Sequence, residues 1–148
     1  MTTEVTDGPA ATEVLGERLA QGLRPGDVVL VVGELGSGKT TLIRGAARGL
    51  GVAEPVVSPT FTIGRRYRGR VPISHLDLYR LDDPGAEEPG LLDDYLTPDA
   101  IAFIEWPGAA SVEDLERDGV RVALRVELSH AGEDRREIRV STPGRSDQ

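Results

Sequence analysis

Apolar and polar positions alternate along this chain with a period that changes from segment to segment, and each change marks an element. From Thr12 to Leu23, Val14, Leu15, Leu19 and Leu23 recur at roughly helical spacing with polar residues between them, which predicts an amphipathic helix. Arg24-Pro25-Gly26 ends it. Asp27 to Val32 carries a continuous run of valine and leucine, and its length and bounding turn signals predict a strand buried on both faces. Gly33 to Thr40 is a glycine-rich turn, and Thr41 to Leu50 reads as a second helix stopped by Gly51.

The second half of the chain has a shorter period. Ser58-Pro59-Thr60-Phe61 reads as extended or loop, because the residue before proline is kept out of the helical region. Phe61 to Tyr67 and Val71 to Asp77 flank Arg68-Gly69-Arg70, which predicts a hairpin. Residues 82–99 read as turns and short helices, with Leu91, Leu92, Tyr95 and Leu96 on the buried side. Ala100 to Trp106 is a second buried strand, and residues 120–129 and 135–141 alternate as a terminal hairpin. Residues 1–11 are expected to be a flexible N-terminus, 12–142 a single domain and 143–148 a tail. Strand, turn and helix at the front require a covered sheet, and the hairpins add antiparallel strands. The expected fold is one α/β domain with a mixed parallel and antiparallel sheet flanked by helices.

Composition narrows the class. The 148 residues suit one ordinary domain with a real core. There is no cysteine, which excludes disulfides and thiolate metal sites and fits a reducing compartment. Met1-Thr2-Thr3-Glu4 begins neither a basic nor an apolar leader, and the longest apolar run, Val28 to Val32, is far too short for a bilayer. A soluble, cytoplasmic protein with no membrane partner is expected. The formal net charge of -8 argues against nonspecific nucleic-acid binding, which needs cations to displace phosphate counterions. Of the 17 basic residues all but Lys39 are arginine, and asparagine is absent.

Gly33-Glu34-Leu35-Gly36-Ser37-Gly38-Lys39-Thr40 fits G-x-x-x-x-G-K-[ST] in full, between a buried strand and a helix. Its glycines let successive N–H groups turn toward phosphate oxygens, and the helix adds its positive end. Lys39 supplies a compact charge between the terminal phosphates, a role that a planar guanidinium would not fill. Thr40 offers a hydroxyl to Mg²⁺. The chemistry so predicted is ATP and Mg²⁺ binding by a P-loop NTPase-like domain.

Such a site also needs a second contact to Mg²⁺ and a group that orients water or another nucleophile. Glu105, at the end of the apolar strand Ala100–Ile104, is the candidate for the metal contact. Asp77, in His75-Leu76-Asp77-Leu78-Tyr79-Arg80, is the candidate catalytic acid. Thr60 is either a switch threonine sensing the γ-phosphate or a loop hydroxyl capping backbone. His75 and His130 are read as structural, and Trp106 as packing rather than stacking on a base. Arg65, Arg66, Arg68 and Arg70 form either a charge-protected strand edge or a phosphate, tRNA or docking contact. Residues 82–116 hold 11 acids and no base, so the rest of the chain carries 17 cations against 14 acids, a polarity able to steer a partner.

Four segments together carry a family resemblance. G-E-L-G-S-G-K-T-T at Gly33–Thr41, S-P-T-F at Ser58–Phe61, H-L-D-L-Y-R at His75–Arg80 and I-E-W-P at Ile104–Pro107 resemble the bacterial TsaE (YjeE) family in order and spacing. The resemblance runs from the helix holding Gly16-Glu17-Arg18-Leu19-Ala20 to the last strands. One departure is that the Leu-Pro often found after the E-W motif is absent around Leu115-Glu116. The resemblance implies a P-loop ATPase required for the N6-threonylcarbamoyladenosine modification at position 37 of tRNAs reading codons that start with A. It implies work with the TsaD–TsaB complex, which ATP hydrolysis would reset between turnovers, and contact with tRNA only through that complex. It further implies that Gly36, Ser37, Gly38, Lys39, Thr40 and Thr41 hold the phosphates, that Thr40 and Glu105 ligand Mg²⁺, and that Asp77 serves hydrolysis. A nucleotide-contacting arginine near the last strand matches Arg136 best, with Arg135 one step away.

Three other activities compete. A signalling-type GTPase would select guanine with N-K-x-D, and this chain has neither an asparagine nor a second lysine. A small-molecule P-loop kinase could use the arginine hairpin as a lid, but little sequence remains for a substrate domain. An ATP-dependent docking module would bind ATP tightly without turnover.

Overall fold

The computed structural model of the protein describes residues 2–33, 38–56, 64–77, 95–107 and 122–142. Along them run β1 (Thr2–Thr6), α1 (Pro9–Ala20), β2 (Val28–Gly33), α2 (Lys39–Gly49), β3 (Gly64–Arg68), β4 (Pro72–Asp77), β5 (Ile101–Pro107), β6 (Val122–His130) and β7 (Arg136–Ser141). The strands form one sheet in the order β1-β7-β6-β2-β5-β4-β3. Its centre is parallel, with β2 paired to β5 and β6 and β4 paired to β5. The antiparallel hairpins β3–β4 and β6–β7, and β1 against β7, make the sheet mixed, as the sequence predicts.

All six residues of β2 are buried because the strand has parallel neighbours on both edges and side chains packed on both faces. On one face Val29 and Val31 join Phe103, Val126, Leu128 and Ile138 beneath Leu15 of α1 and Leu42, Ile43 and Ala46 of α2. On the other, Val28, Leu30 and Val32 meet Leu76, Ala102, Ile104 and Val122, with Tyr95 and Leu96 packed against them. Among the described residues both helices therefore cover the same face. The β2–β6 register slips by one residue between Val28 and Val29, which pair with Val122 and Leu124. The slip puts Val122 in one core and Val126 and Leu128 in the other.

The two helices touch at glycines. A Cβ at Gly16 would collide with the Leu42 carbonyl and stand 2.8 Å from the Ala46 nitrogen, and one at Gly45 would collide with the Glu13 carbonyl. Charge pairs then bridge the same two helices, Arg48 to Glu13 and Glu17, both at 2.6 Å. These two carboxylates hold the Arg48 guanidinium above its ordinary range.

The expected flexible N-terminus is corrected. Thr2–Thr6 forms a strand in register with β7, from Thr2 opposite Val140 to Thr6 opposite Arg136. Helix α1 begins at Pro9, a first-turn position that loses nothing by lacking an N–H, rather than at Thr12, and ends at Ala20 rather than Leu23. The buried Thr6 and Thr12 hydroxyls share a 2.8 Å hydrogen bond that ties strand to helix. Helix α2 begins at Lys39, two residues earlier than the sequence suggests. Leu91, Leu92 and residues 143–148 lie outside the described residues.

Candidate functional site

Three chain segments converge at the carboxyl end of β2. Gly33 closes the strand, and Gly38 precedes α2 with φ of 102°, a left-handed value that glycine adopts without strain. Helix α2 therefore points its N-terminus, with its unpaired N–H groups and partial positive charge, at the strand end. Lys39, the first residue of α2, is 5 % exposed, and its Nζ donates to the Gly33 carbonyl at 2.7 Å. The ammonium thus ties the start of α2 to the end of β2.

The acids arrive through parallel pairing. Asp77 at the end of β4 lies opposite Glu105 of β5, and Glu105 lies opposite Val31 of β2. Leu76 and Ile104 belong to the core away from the helices, so alternation turns His75, Asp77 and Glu105 to the helix side. Thr40 Oγ1 donates to Glu105 Oε2 at 3.0 Å. His75 Nε2 meets the same oxygen at 2.6 Å, with the ring fully buried. Asp77 and Glu105 are themselves buried, 6 % and 4 % exposed. Two carboxylates and one ammonium are thus held out of water within one strand end, an arrangement whose charges must be paired or metal-bound.

These donors suit a hard divalent cation. The Thr40 hydroxyl gives its hydrogen to Glu105, which turns an oxygen lone pair outward, and a carboxylate stands beside it. Among the described residues no group of three or more His, Asp or Glu side chains is placed to hold a metal alone.

Residues 6–138 match the family model described as threonylcarbamoyl adenosine biosynthesis protein TsaE. The chain belongs to the TsaE family. It is 36 % identical over 140 residues to the tRNA threonylcarbamoyladenosine biosynthesis protein TsaE of Bacillus subtilis, covering 94 % of this chain and 84 % of that protein. The Streptomyces coelicolor protein of the same name is 41 % identical over 134 residues, covering 88 % and 89 %. A crystal structure of Bacillus subtilis YdiB superposes with a TM-score of 0.75 at 31 % identity, covering 95 % of this chain and 84 % of that one. The fold is the P-loop NTPase-like α/β fold that the TsaE resemblance implies.

Of the residues that the TsaE resemblance marks, Gly38, Lys39, Thr40, Asp77 and Glu105 gather at this strand end, with Thr41 in the first turn of α2. Gly36, Ser37, Thr60 and the Trp106 side chain lie outside the described residues. Arg136 opens β7 opposite His130, at the end of β6 that lies on the P-loop side of the sheet. Its Nη1 donates to the carbonyls of Glu133 and Arg135, at 2.9 and 2.8 Å. Arg135, the alternative, is 67 % exposed and pairs with Asp7 at 3.6 Å.

The arginine hairpin divides. Arg65, Arg66 and Arg68 stand exposed on edge strand β3, with Arg65 5.8 Å from the Tyr67 ring centre. Arg70 closes the end of α2 instead, its side chain donating to the Gly49 carbonyl at 2.6 Å and its backbone to Leu50 at 2.8 Å. His130 is exposed at the end of β6. His75, read as structural from the sequence, is fully buried and contacts the candidate metal acid. The available signal was its place two residues before Asp77, on the same face of one strand. No helix among the described residues is long and apolar enough to cross a membrane.

Proposed function

We propose that this chain is the ATP-binding and ATP-hydrolysing component of the tRNA N6-threonylcarbamoyladenosine modification machinery, acting with the TsaD–TsaB complex and meeting tRNA only through it. The observation that carries the reading is the Thr40 hydroxyl donating to Glu105 beside the buried Lys39 ammonium, at the N-terminus of α2. In this reading Gly36, Ser37, Gly38 and the amides of Lys39, Thr40 and Thr41 take the phosphate oxygens. Lys39 leaves Gly33 for the β- and γ-phosphates and neutralises charge developing there. Thr40 and Glu105 would hold Mg²⁺, which would supply positive charge to offset that developing on the phosphates. Asp77, one strand further from the P-loop, orients the attacking water, and Arg136 contacts the nucleotide from the end of β7.

Membership in the TsaE family, together with relatives named for threonylcarbamoyladenosine biosynthesis, supports placing this ATPase in tRNA modification. Reconstituted modification tests it. TsaD–TsaB, substrate tRNA and the threonylcarbamoyl donor should form modified adenosine over many turnovers only when this chain and ATP are present, and Lys39→Ala should stop at about one turnover. Equal multiple-turnover yield without the chain would refute the proposal.

A further inference from the structure

The buried histidine beside the acid is unlike an ordinary core residue. His75 has no exposed surface, yet its Nδ1 has no hydrogen-bond partner among the described residues. Burying an unsatisfied ring nitrogen destabilises the fold, and a leucine or phenylalanine would fill the same volume without that cost. What the ring does contribute is its other nitrogen. A carboxylate oxygen only accepts, so Nε2 carries the hydrogen and donates it to Glu105 Oε2 at 2.6 Å.

That oxygen also receives the Thr40 hydroxyl at 3.0 Å. Both donors meet on one carboxylate oxygen, which fixes the carboxylate's rotation and keeps both of them off Oε1. With its hydrogen committed to Glu105, the Thr40 hydroxyl keeps its oxygen lone pairs for other partners. The pairing of β4 with β5 makes the contact possible: His75 lies opposite Phe103, so its ring reaches diagonally to Glu105 two residues along.

We infer that His75 is a positioning residue for the divalent cation site, orienting Glu105 through Nε2 and, through Glu105, the Thr40 hydroxyl. The inference deepens the proposed ATPase reading and rests on it. Groups that orient metal ligands through one hydrogen bond change metal affinity by about 10–100-fold when removed.

The test is a Mn²⁺ titration followed by electron paramagnetic resonance, on the full chain with a non-hydrolysable ATP analogue. His75→Phe keeps the volume and removes the donor. It should weaken Mn²⁺ binding by about 10–100-fold. His75→Gln, whose amide nitrogen reaches the place of Nε2, should restore affinity close to wild type. Binding of the analogue alone, measured by calorimetry in EDTA, should be the same in all three proteins. Should His75→Phe fail to fold by circular dichroism, His75→Asn replaces it, since its shorter amide cannot reach Glu105. Equal Mn²⁺ affinity in wild type and His75→Phe, or equal weakening in the Phe and Gln variants, overturns the inference alone. If the wild-type protein binds no Mn²⁺ with the analogue, the ATPase reading fails and the inference falls with it.

Discussion

Gly45→Ala tests the packing that aims the P-loop helix. Gly45 lies where α2 crosses α1, and a Cβ there would overlap the Glu13 carbonyl oxygen and stand 2.6 Å from its carbonyl carbon and Cα. Ordinary contacts of this kind begin near 3.4 Å, so the helices must separate by several tenths of an ångström or more. The obstructing atoms are backbone of another helix and cannot swing aside as a side-chain tip can. Overpacking of this kind costs about 1–3 kcal/mol and is expected here at the upper end, while alanine in place of glycine in a helix returns about 1 kcal/mol. The net loss is about 2 kcal/mol, which lowers the melting temperature of a domain this size by roughly 4–8 °C. Because α2 also carries Lys39 and Thr40, ATP affinity should fall in the folded variant. Gly22→Ala is the control: its Cβ would meet nothing nearer than the Leu19 carbonyl at 4.0 Å, so stability should stay within about 0.5 kcal/mol. Thermal melts by circular dichroism read both. A Gly45→Ala protein that melts at or above the wild-type temperature would refute the close crossing.

Thr40→Val removes the hydroxyl but leaves His75 bonded to Glu105, so the fold should lose only about 1–2 kcal/mol. ATP affinity measured by calorimetry should then drop at least about tenfold with Mg²⁺ and stay unchanged in EDTA, and a parallel drop in both would remove Thr40 from the metal site. Thr12→Val strands the buried Thr6 hydroxyl and deletes the bond to the Gly8 carbonyl at 3.2 Å. Urea denaturation should show a loss of about 1–3 kcal/mol, and a change under about 0.5 kcal/mol would mean that the strand–helix tie contributes little.

Much of this architecture is legible in the sequence where hydrophobic periodicity and glycine placement agree. The valine-rich run of β2 and the helix that follows Gly38 need only local rules, and the two hairpins show as alternation around Arg68-Gly69-Arg70 and residues 130–135. Strand β1 escaped because T-T-E-V-T has no apolar alternation: as an edge strand it buries only Thr6, and its signal is β-branched content alone. The sequence pattern extends helix α1 too far because Leu23 still packs on the core after the helix has ended at Ala20. The acids Asp77 and Glu105 are visible as polar residues closing apolar strands. The role of His75 is not, because its partner is 30 residues away and meets it only through the β4–β5 pairing.

The central claim is that the Lys39, Thr40 and Glu105 arrangement turns over ATP for partner proteins. It is tested most directly by phosphate release from ATP, measured for the purified chain alone and with TsaD–TsaB. The account predicts slow release alone, a clear rise with the partners, and neither in Lys39→Ala. ATP binding with no release in either case would contradict it.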